Sequence, residues 1–561
     1  MAVRRNPDPT GPEWWREAVI YQIYVRSFAD ANGDGVGDLA GVRARLPYLR
    51  DLGVDALWFS PWYPSPKADS GYDVADYRAI DPQFGALAEA ESLIADAREL
   101  GIRSIVDIVP NHVSEQHAWF RAALLAPPGS PERARFWFHP GAGRNGELPP
   151  NGWQSIFGGP AWSRLKNADG SPGEWYLHLF TPEQPDLNWN NPEVRREHED
   201  VLRFWFDRQV AGIRIDSAAL LVKDPTLADV DPIRRDQHPF TDRDPLHEIY
   251  RTWRAVADSY EQPRLLVGEV WLPDAQRFAR YLRPDELHTA FNFDFLACPW
   301  DAGRMRASID TTLQVHAPVD APATWVLSNH DVTRPVTRYG RADSSFSFAT
   351  KREGTPTDPA LGRRRARAGA LLALALPGSV YIYQGEELGL PEVEDIPADR
   401  RQDPMFFRSG GLDPGRDGCR VPLPWSDAAP PYGFSPPDSA QQPWLDQPAD
   451  WSGLTVAAQT AAPGSTLRLY RDAIRIRRAE AGLGGGPLRW LPAEPTVLAF
   501  DRGTDITCIV NFGPDRVALP ADADVLLASG PLEEGQLPVD TTAWLRLSRE
   551  KSPSPVEKES R

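Results

Sequence analysis

Four short segments of this 561-residue chain place acid, imidazole and guanidinium groups where they could work together. They read DIVPNH, GIRID, VGEVW and SNHD, and they carry Asp107, Asn111, His112, Arg214, Asp216, Glu269, His330 and Asp331. One acid after a β-branched run commonly caps the next helix. Four acids beside two histidines and an arginine need another reason, because gathering unpaired like charges costs energy. Arg214 and Asp216 stand two apart, so on a strand they share a face and can pair, which holds the aspartate ionised. An ionised, oriented carboxylate is a nucleophile. Partial burial near Asp216 would raise the proton affinity of Glu269 and keep it protonated near neutrality. Two facing carboxylates with different proton affinities are the apparatus of glycoside cleavage.

The elements that must position these residues are legible as eight apolar or β-branched runs, at 18–25, 54–61, 102–110, 211–216, 265–271, 288–295, 324–329 and 379–385. Amphipathic stretches such as LAGVRARLPYLRDLG lie between most of them. Eight alternating units predict an α/β fold, a closed (β/α)8 TIM barrel, with the polar residues at the C-terminal strand ends where such barrels keep their chemistry. The span from Pro110 to Asp216 is far longer than one crossover needs and is rich in Gly, Pro and Trp, which predicts a small inserted domain after the third strand. A Gly/Pro-rich excursion at 391–450 follows the eighth strand, and TLRLYRDAIRIRRAEAG (466–482) reads as the last barrel helix.

Beyond the glycines at 484–486 the pattern turns to short strands (TVLAFDR, TCIVNFG, RVALP, DVLLAS, AWLRL), an antiparallel β-sandwich. The expected organisation is a barrel over 1–112 and 187–484, an inserted domain over 113–186, a C-terminal β-sandwich over 485–548 and a disordered tail over 549–561.

DANGDGVGDLAG (30–41) sets oxygen-bearing side chains at alternate positions among glycines. Asp30, Asn32, Asp34 and Gly35 fit the start of a calcium loop, but Gly41 stands where an EF-hand needs its bidentate Glu. Asp38 and the Val36 carbonyl could complete an oxygen cage for a hard cation, and a solvated Gly/Asp turn fits the same spacing.

Net charge is −17, which repels nucleic-acid phosphates and anionic membrane surfaces and favours neutral substrates. Apolar runs are too short for a membrane span. Cys298, Cys419 and Cys508 are far apart and signal neither a zinc site nor a disulfide framework. The start, MAVRRNPDPTGPEWW, lacks the apolar core of a secretory signal, and the expected location is cytoplasmic.

With DIVPNH, QPDLNW, GIRID, GEVW and SNHD in this order, the chain resembles the α-amylase family, glycoside hydrolase family thirteen, over nearly its whole length. QPDLNW (184–189), IYQIYVRSF and GRDGCR are similar to the α-glucosidase and oligo-1,6-glucosidase group. The resemblance implies Asp216 as nucleophile, Glu269 as general acid/base and Asp331 as a third acid that holds sugar hydroxyls. It implies that His112 and His330 hydrogen-bond the first glucose, Arg214 orients the nucleophile, Tyr72 stacks under the ring and Phe180 lines a wall. Asp69 and Arg416 would pair to close the pocket, giving exo-action on a small α-glucoside by a retaining double displacement.

It also implies a structural Ca2+ (or Mg2+) held by Asp30, Asn32, Asp34, Val36 and Asp38, with no organic cofactor. Within the group, Val after the nucleophile goes with α-1,6 linkages and Thr or Ala with α-1,4. Ser217 departs from both and, by analogy with Thr, favours maltose-type substrates. The alternatives are an oligo-1,6-glucosidase, or a transglucosylase or isomerase on the same scaffold, such as trehalose synthase or sucrose isomerase. A non-catalytic sugar-binding relative is disfavoured by the retention of all three acids.

Overall fold

The computed structural model describes residues 11, 13–167, 169–231, 238–348 and 354–547. The expected tail, 549–561, lies outside them. Eight strands make one sheet: Val19–Ile23, Ala56–Phe59, Arg103–Ile108, Gly212–Ile215, Leu265–Gly268, Thr289–Ala290, Thr324–Val326 and Ser379–Tyr383. All neighbouring pairs are parallel, and the first strand pairs with both the second and the eighth, which curls the sheet into a barrel. The ladder is interrupted between the sixth and seventh strands, where the Asn292 amide donates to the Thr324 carbonyl at 3.1 Å.

Barrel strands are buried on both faces, so they read as continuous apolar runs. Ile20, Ala56, Trp58, Ile105, Leu265, Val267 and Tyr381 meet inside. Gly212 is required by close approach: a Cβ there would lie 2.8 Å from that of Leu265. The outer helices follow their patterns. Pro192–Asp207 starts with Asn191 accepting from the Glu193 amide and with proline in its first turn, and buries Val194, Val201, Leu202, Trp205 and Phe206.

One expectation is corrected. The run at 288–295 yields only the two-residue strand Thr289–Ala290, because the Asn292 side chain accepts from the Phe295 amide and caps a helix, Phe293–Ala297. LAGVRARLPYLRDLG forms two short helices, Leu39–Ala44 and Leu46–Leu52, with Pro47 in the first turn of the second.

Between the third and fourth barrel strands lies a three-stranded antiparallel sheet of Phe138–His139, Trp162–Lys166 and Pro172–Leu177. The last barrel helix is Thr466–Ala479. After it come a five-stranded antiparallel sheet and a separate two-stranded one, Val517–Ala518 with Gln536–Leu537. Among the described residues no helix is long and apolar enough to cross a membrane.

Candidate active site

Strand register sets the site. Asp107 pairs with Arg214, and Ile215 with Gly268, so Asp216 and Glu269 emerge side by side one step past the ladder. Backbone bonds continue it: the Asp216 amide donates to Ile108 and the Glu269 amide to Ile215, both at 2.9 Å. Arg214 is buried among three carboxylates. Its Nη1 donates to Asp107 Oδ1 at 2.9 Å and to Asp216 Oδ1 at 2.6 Å, while Nη2 lies 2.8 Å from Glu269 Oε2. One guanidinium fork thus spans the two central acids.

Ser217 touches both as well. Its hydroxyl donates to Asp216 Oδ2 and its amide to Glu269 Oε2, each at 2.9 Å. It does so at φ 46°, left-handed backbone that a non-glycine residue adopts only when its surroundings hold it there. Trp271 Nε1 donates to Glu269 Oε1 at 3.1 Å.

Burial pushes Glu269 up to about 7; Arg214 opposes the rise, and the charges of Asp216 and Asp331 add to it. Burial also pushes Asp216 up, to about 6, against Arg214. The expected pair of Arg214 with Asp216 is present and the aspartate stays ionised at neutral pH, but Arg214 divides its charge among three acids, so desolvation outweighs its share at each. The order is kept, with Asp216 giving up its proton before Glu269.

Asp331 is different. Burial pushes it up, but His330, Arg416, Arg420 and Arg214 overcome this and hold it well below the usual carboxylate range. Burial keeps His330 neutral, down at about 3, so at pH 7 the arginines do this work. Arg416 Nη1 and Arg420 Nη2 donate to Asp331 Oδ1 at 3.1 and 2.9 Å.

Arg416 Nη2 donates to Asp69 Oδ1 at 2.6 Å, and its Nε to Asp403, so one cation ties three carboxylates together. Gln184 Nε2 reaches Asp69 Oδ2 at 3.2 Å and His112 Nε2 at 2.9 Å. His330 Nδ1 is held by Gln22 at 2.7 Å; its buried Nε2 is 3.4 Å from Asp331 Oδ2 without hydrogen-bond geometry. The Tyr72 ring stacks on His330, with centroids 5.2 Å apart and planes 6° apart, and its hydroxyl donates to Asp107 at 3.1 Å. Phe180 packs between His112 and Phe157.

Asp69, Tyr72, His112, Phe180, Asp216, Glu269, Asp331 and Arg416 line one pocket of about 370 Å3. Arg214 and His330 stand behind its walls. Asn111 is placed elsewhere in purpose: it accepts from Lys223 at 2.6 Å and donates to Asp186, anchoring the third strand's end to the segment before the fourth.

Sequence reasoning missed Arg420, Asp403, Gln184 and Trp271 as site residues. Arg420 is the last residue of GRDGCR, Gln184 the first of QPDLNW and Trp271 the last of VGEVW, so three of them stood inside quoted motifs. The mouth residues Ile156 and Phe348 come from stretches with no periodic signal, and Asp403 caps the helix Pro404–Arg408 that carries Met405, which is too short to show one.

The loop 30–38 lies outside this pocket. Asp30 accepts from the amides of Gly33 (2.7 Å) and Gly35 (2.9 Å), Asn32 from Asp34, Asp34 from Val36, and Asp38 from Ala31, Asn32 and Gly41. Among the described residues no three acidic, His or Cys side chains come together as a metal cluster. The donor set is nonetheless all oxygen, which suits a hard cation, with the Asn32 amide and the Val36 carbonyl supplementing the carboxylates.

Residues 22–486 match the family model described as the α-amylase catalytic domain, and 493–544 match a domain of unknown function. A probable α-glucosidase of Rhizobium meliloti (strain 1021) is 36% identical over 90% of this chain and 90% of its own. Trehalose-6-phosphate hydrolase of Escherichia coli (strain K12) is 36% identical over 89% of this chain and 91% of its own. Among solved structures, the α-glucosyl transfer enzyme XgtA superposes with a TM-score of 0.81 at 33% identity, covering 95% of this chain and 99% of that one. Isomaltulose synthase from Erwinia rhapontici NX5 gives 0.83 at 29%, covering 96% and 100%. The chain belongs to the α-amylase family of glycoside hydrolases, family 13.

Proposed function

We propose that the protein is a retaining, exo-acting α-glucosidase that releases α-glucose from the non-reducing end of short, uncharged α-glucosides. The observation that carries this reading is the single Arg214 fork spanning Asp216 and Glu269 at the base of a pocket shut by Asp69 and Arg416. Carboxylates bridged by one guanidinium suit the close spacing of retaining enzymes, ~5–5.5 Å, better than the wider gap that admits a water between them.

In the first step the ionised Asp216 attacks the anomeric carbon. The glycosidic C–O bond breaks, and Glu269 gives its proton to the departing oxygen. Asp331, fixed by Arg416 and Arg420, accepts hydrogen bonds from sugar hydroxyls, while His330 braces the Tyr72 ring from behind the wall. In the second step Glu269, now ionised, takes a proton from water, whose oxygen displaces Asp216 with a second inversion. The α configuration is restored.

The pocket separates this chain's expected substrates from charged ones. Among the described residues that line it, Arg416 is the one arginine or lysine, and three carboxylates already engage it. Ile156, Phe157, Leu220, Trp271 and Phe348 form much of the outer wall, with Ile156 49% and Phe348 37% exposed. Such a wall suits an uncharged leaving group, and its described residues offer no partner to a phosphate. Ser217, by analogy with Thr, favours maltose-type α-1,4 linkages.

The apolar outer wall also supports a second reading, transfer of the glucosyl group to another sugar, since an acceptor that covers the wall displaces water. We further propose that Asp30, Asn32, Asp34, Asp38 and the Val36 carbonyl hold a structural Ca2+ away from the reacting atoms.

Proton NMR of the protein with maltose tests the assignment. Early excess of α-glucose from the non-reducing unit supports a retaining α-1,4-glucosidase. Intact maltose with cleaved isomaltose overturns the linkage, a new disaccharide favours transfer, and β-glucose overturns the mechanism.

A further inference from the structure

Away from the active site, a second and larger cleft of about 670 Å3 runs between the outside of the barrel and the C-terminal domain. One wall is the helix Pro359–Ala375, which presents Arg363, Arg364 and Arg367 from the run GRRRAR. Arg363 and Arg364 are exposed and Arg367 half-buried. Their neighbour Arg365 pairs with Asp540 at 3.0 Å. Arg367, by contrast, gives its Nε proton to the Ser529 carbonyl at 2.7 Å and contacts Thr466 Oγ1 at 3.3 Å, both neutral acceptors. Among the described residues none of these three guanidiniums has a carboxylate partner, in a protein of net charge −17.

The fold gives no reason for this arrangement. Arg363 and Arg367 are four apart on one helix face, where like charges repel. Burial pushes the Arg367 guanidinium below its ordinary value; Tyr470 opposes this and Arg363 adds to it. Across the cleft stands the start of Thr466–Ala479, but its amides at Leu467 and Arg468 are already taken by Gln459 Oε1 (3.1 Å) and Ser465 Oγ (3.2 Å), which leaves the arginines as the donors. The two acids on the cleft are engaged elsewhere: Glu533 pairs with Arg516 at 2.6 Å, and Asp540 with Arg365 and the Trp300 indole.

We infer that this cleft is a binding site for a small phosphorylated molecule, held by Arg363, Arg364 and Arg367. Guanidinium forks match the array of phosphate oxygens. The volume lies in the range of small-molecule sites, ~300–1,000 Å3. A nucleic acid or a membrane is a poor fit to one recessed basic cluster on an acidic protein.

Calorimetric titration of the whole protein with pyrophosphate tests this, run beside citrate and repeated in the double variant R363A/R364A. Both side chains are exposed, so the variant keeps its fold, which its melting curve and its activity on maltose verify. The inference expects saturable one-to-one binding of pyrophosphate, weaker binding of citrate, and at least a tenfold loss of affinity in the variant. Equal binding in the variant overturns the site. No saturable binding by the wild type overturns it too, and citrate binding as tightly as pyrophosphate overturns the phosphate assignment.

Discussion

Arg416 Nη2 lies 2.6 Å from Asp69 Oδ1, joining residues from the loop after the second barrel strand and the loop after the eighth. The pair is buried, and burial pushes Asp69 up to about 6 even with Arg416 beside it. Removing one partner leaves a buried charge unpaired, which costs several kcal/mol, whereas removing both avoids that cost. The variant R416A should raise KM for maltose at least tenfold, because Asp331 loses a donor in the same change. In D69A the Arg416 charge keeps Asp403 and Asp331, so its loss should be smaller. A double-mutant cycle on kcat/KM, with D69A/R416A closer to the worse single variant than to the sum, verifies the coupling; strict additivity refutes it.

The pH dependence of turnover follows from the two central acids. Activity needs Asp216 ionised and Glu269 protonated, so kcat/KM should rise as pH climbs through about 6 and fall as it climbs through about 7. The expected profile is a narrow bell. E269Q should abolish most turnover on maltose, by several orders of magnitude, and should lose the alkaline limb on a substrate whose leaving group needs no proton, such as an activated aryl glucoside. An alkaline limb that persists there would assign it to another group.

The same shift bears on stability. Glu269 binds its proton more tightly folded, at about 7, than unfolded, so the folded form loses stability as pH rises from the unfolded value through about 7. Replacing it by Gln removes that cost, on the order of 3 kcal/mol at most. E269Q should melt above the wild type at pH 8 and no higher than it at pH 4. Equal or lower melting at pH 8 would mean that the Arg214 contact outweighs desolvation.

How much of this was legible follows from what carries each signal. Barrel strands announce themselves because burial on both faces demands apolar runs, and Arg214 with Asp216 announces a shared face through the two-residue period of a strand. The sixth strand failed for the same reason in reverse: FNFDF alternates like a strand, but Asn292 diverts it into a helix by a local side-chain bond. Arg214 could be seen to pair with Asp216. That it also binds Glu269 and Asp107 depends on strand register across the barrel, which no single segment encodes. Asp403 reads locally as the cap of a one-turn helix, Pro404–Arg408, and only tertiary packing gives it Arg416.

Ser217 is where local geometry predicts a kinetic effect. Its hydroxyl bond to Asp216 Oδ2 favours the ionised carboxylate. A hydrogen bond to a charged group is worth roughly 1.5–3 kcal/mol, so S217A should lower kcat/KM about 10- to 100-fold. The acid limb should move to higher pH, because Asp216 holds its proton more firmly without the hydroxyl. S217T keeps the oxygen and should restore both rate and limb. An S217A profile with an unmoved acid limb would show that the residue acts on the leaving group's fit alone.

The loop 30–38 gives the last prediction. Asp38 accepts from Gly41 and so caps the helix Leu39–Ala44, which ties the loop to the barrel's first outer helix. A cation bound only by the folded loop adds stability by mass action, about 2.7 kcal/mol when it is present at a hundred times its dissociation constant. Chelation should therefore lower the melting temperature by several degrees, and added Ca2+ should restore it. In D34A, whose side chain is exposed and caps no helix, the melting temperature should be low from the start and indifferent to chelator. Turnover of maltose well below melting should be unchanged in both cases, since the loop reaches none of the reacting carboxylates. A wild-type melting curve indifferent to chelator, with no metal by elemental analysis, would leave the alternating oxygens as the backbone-bonded turn already described.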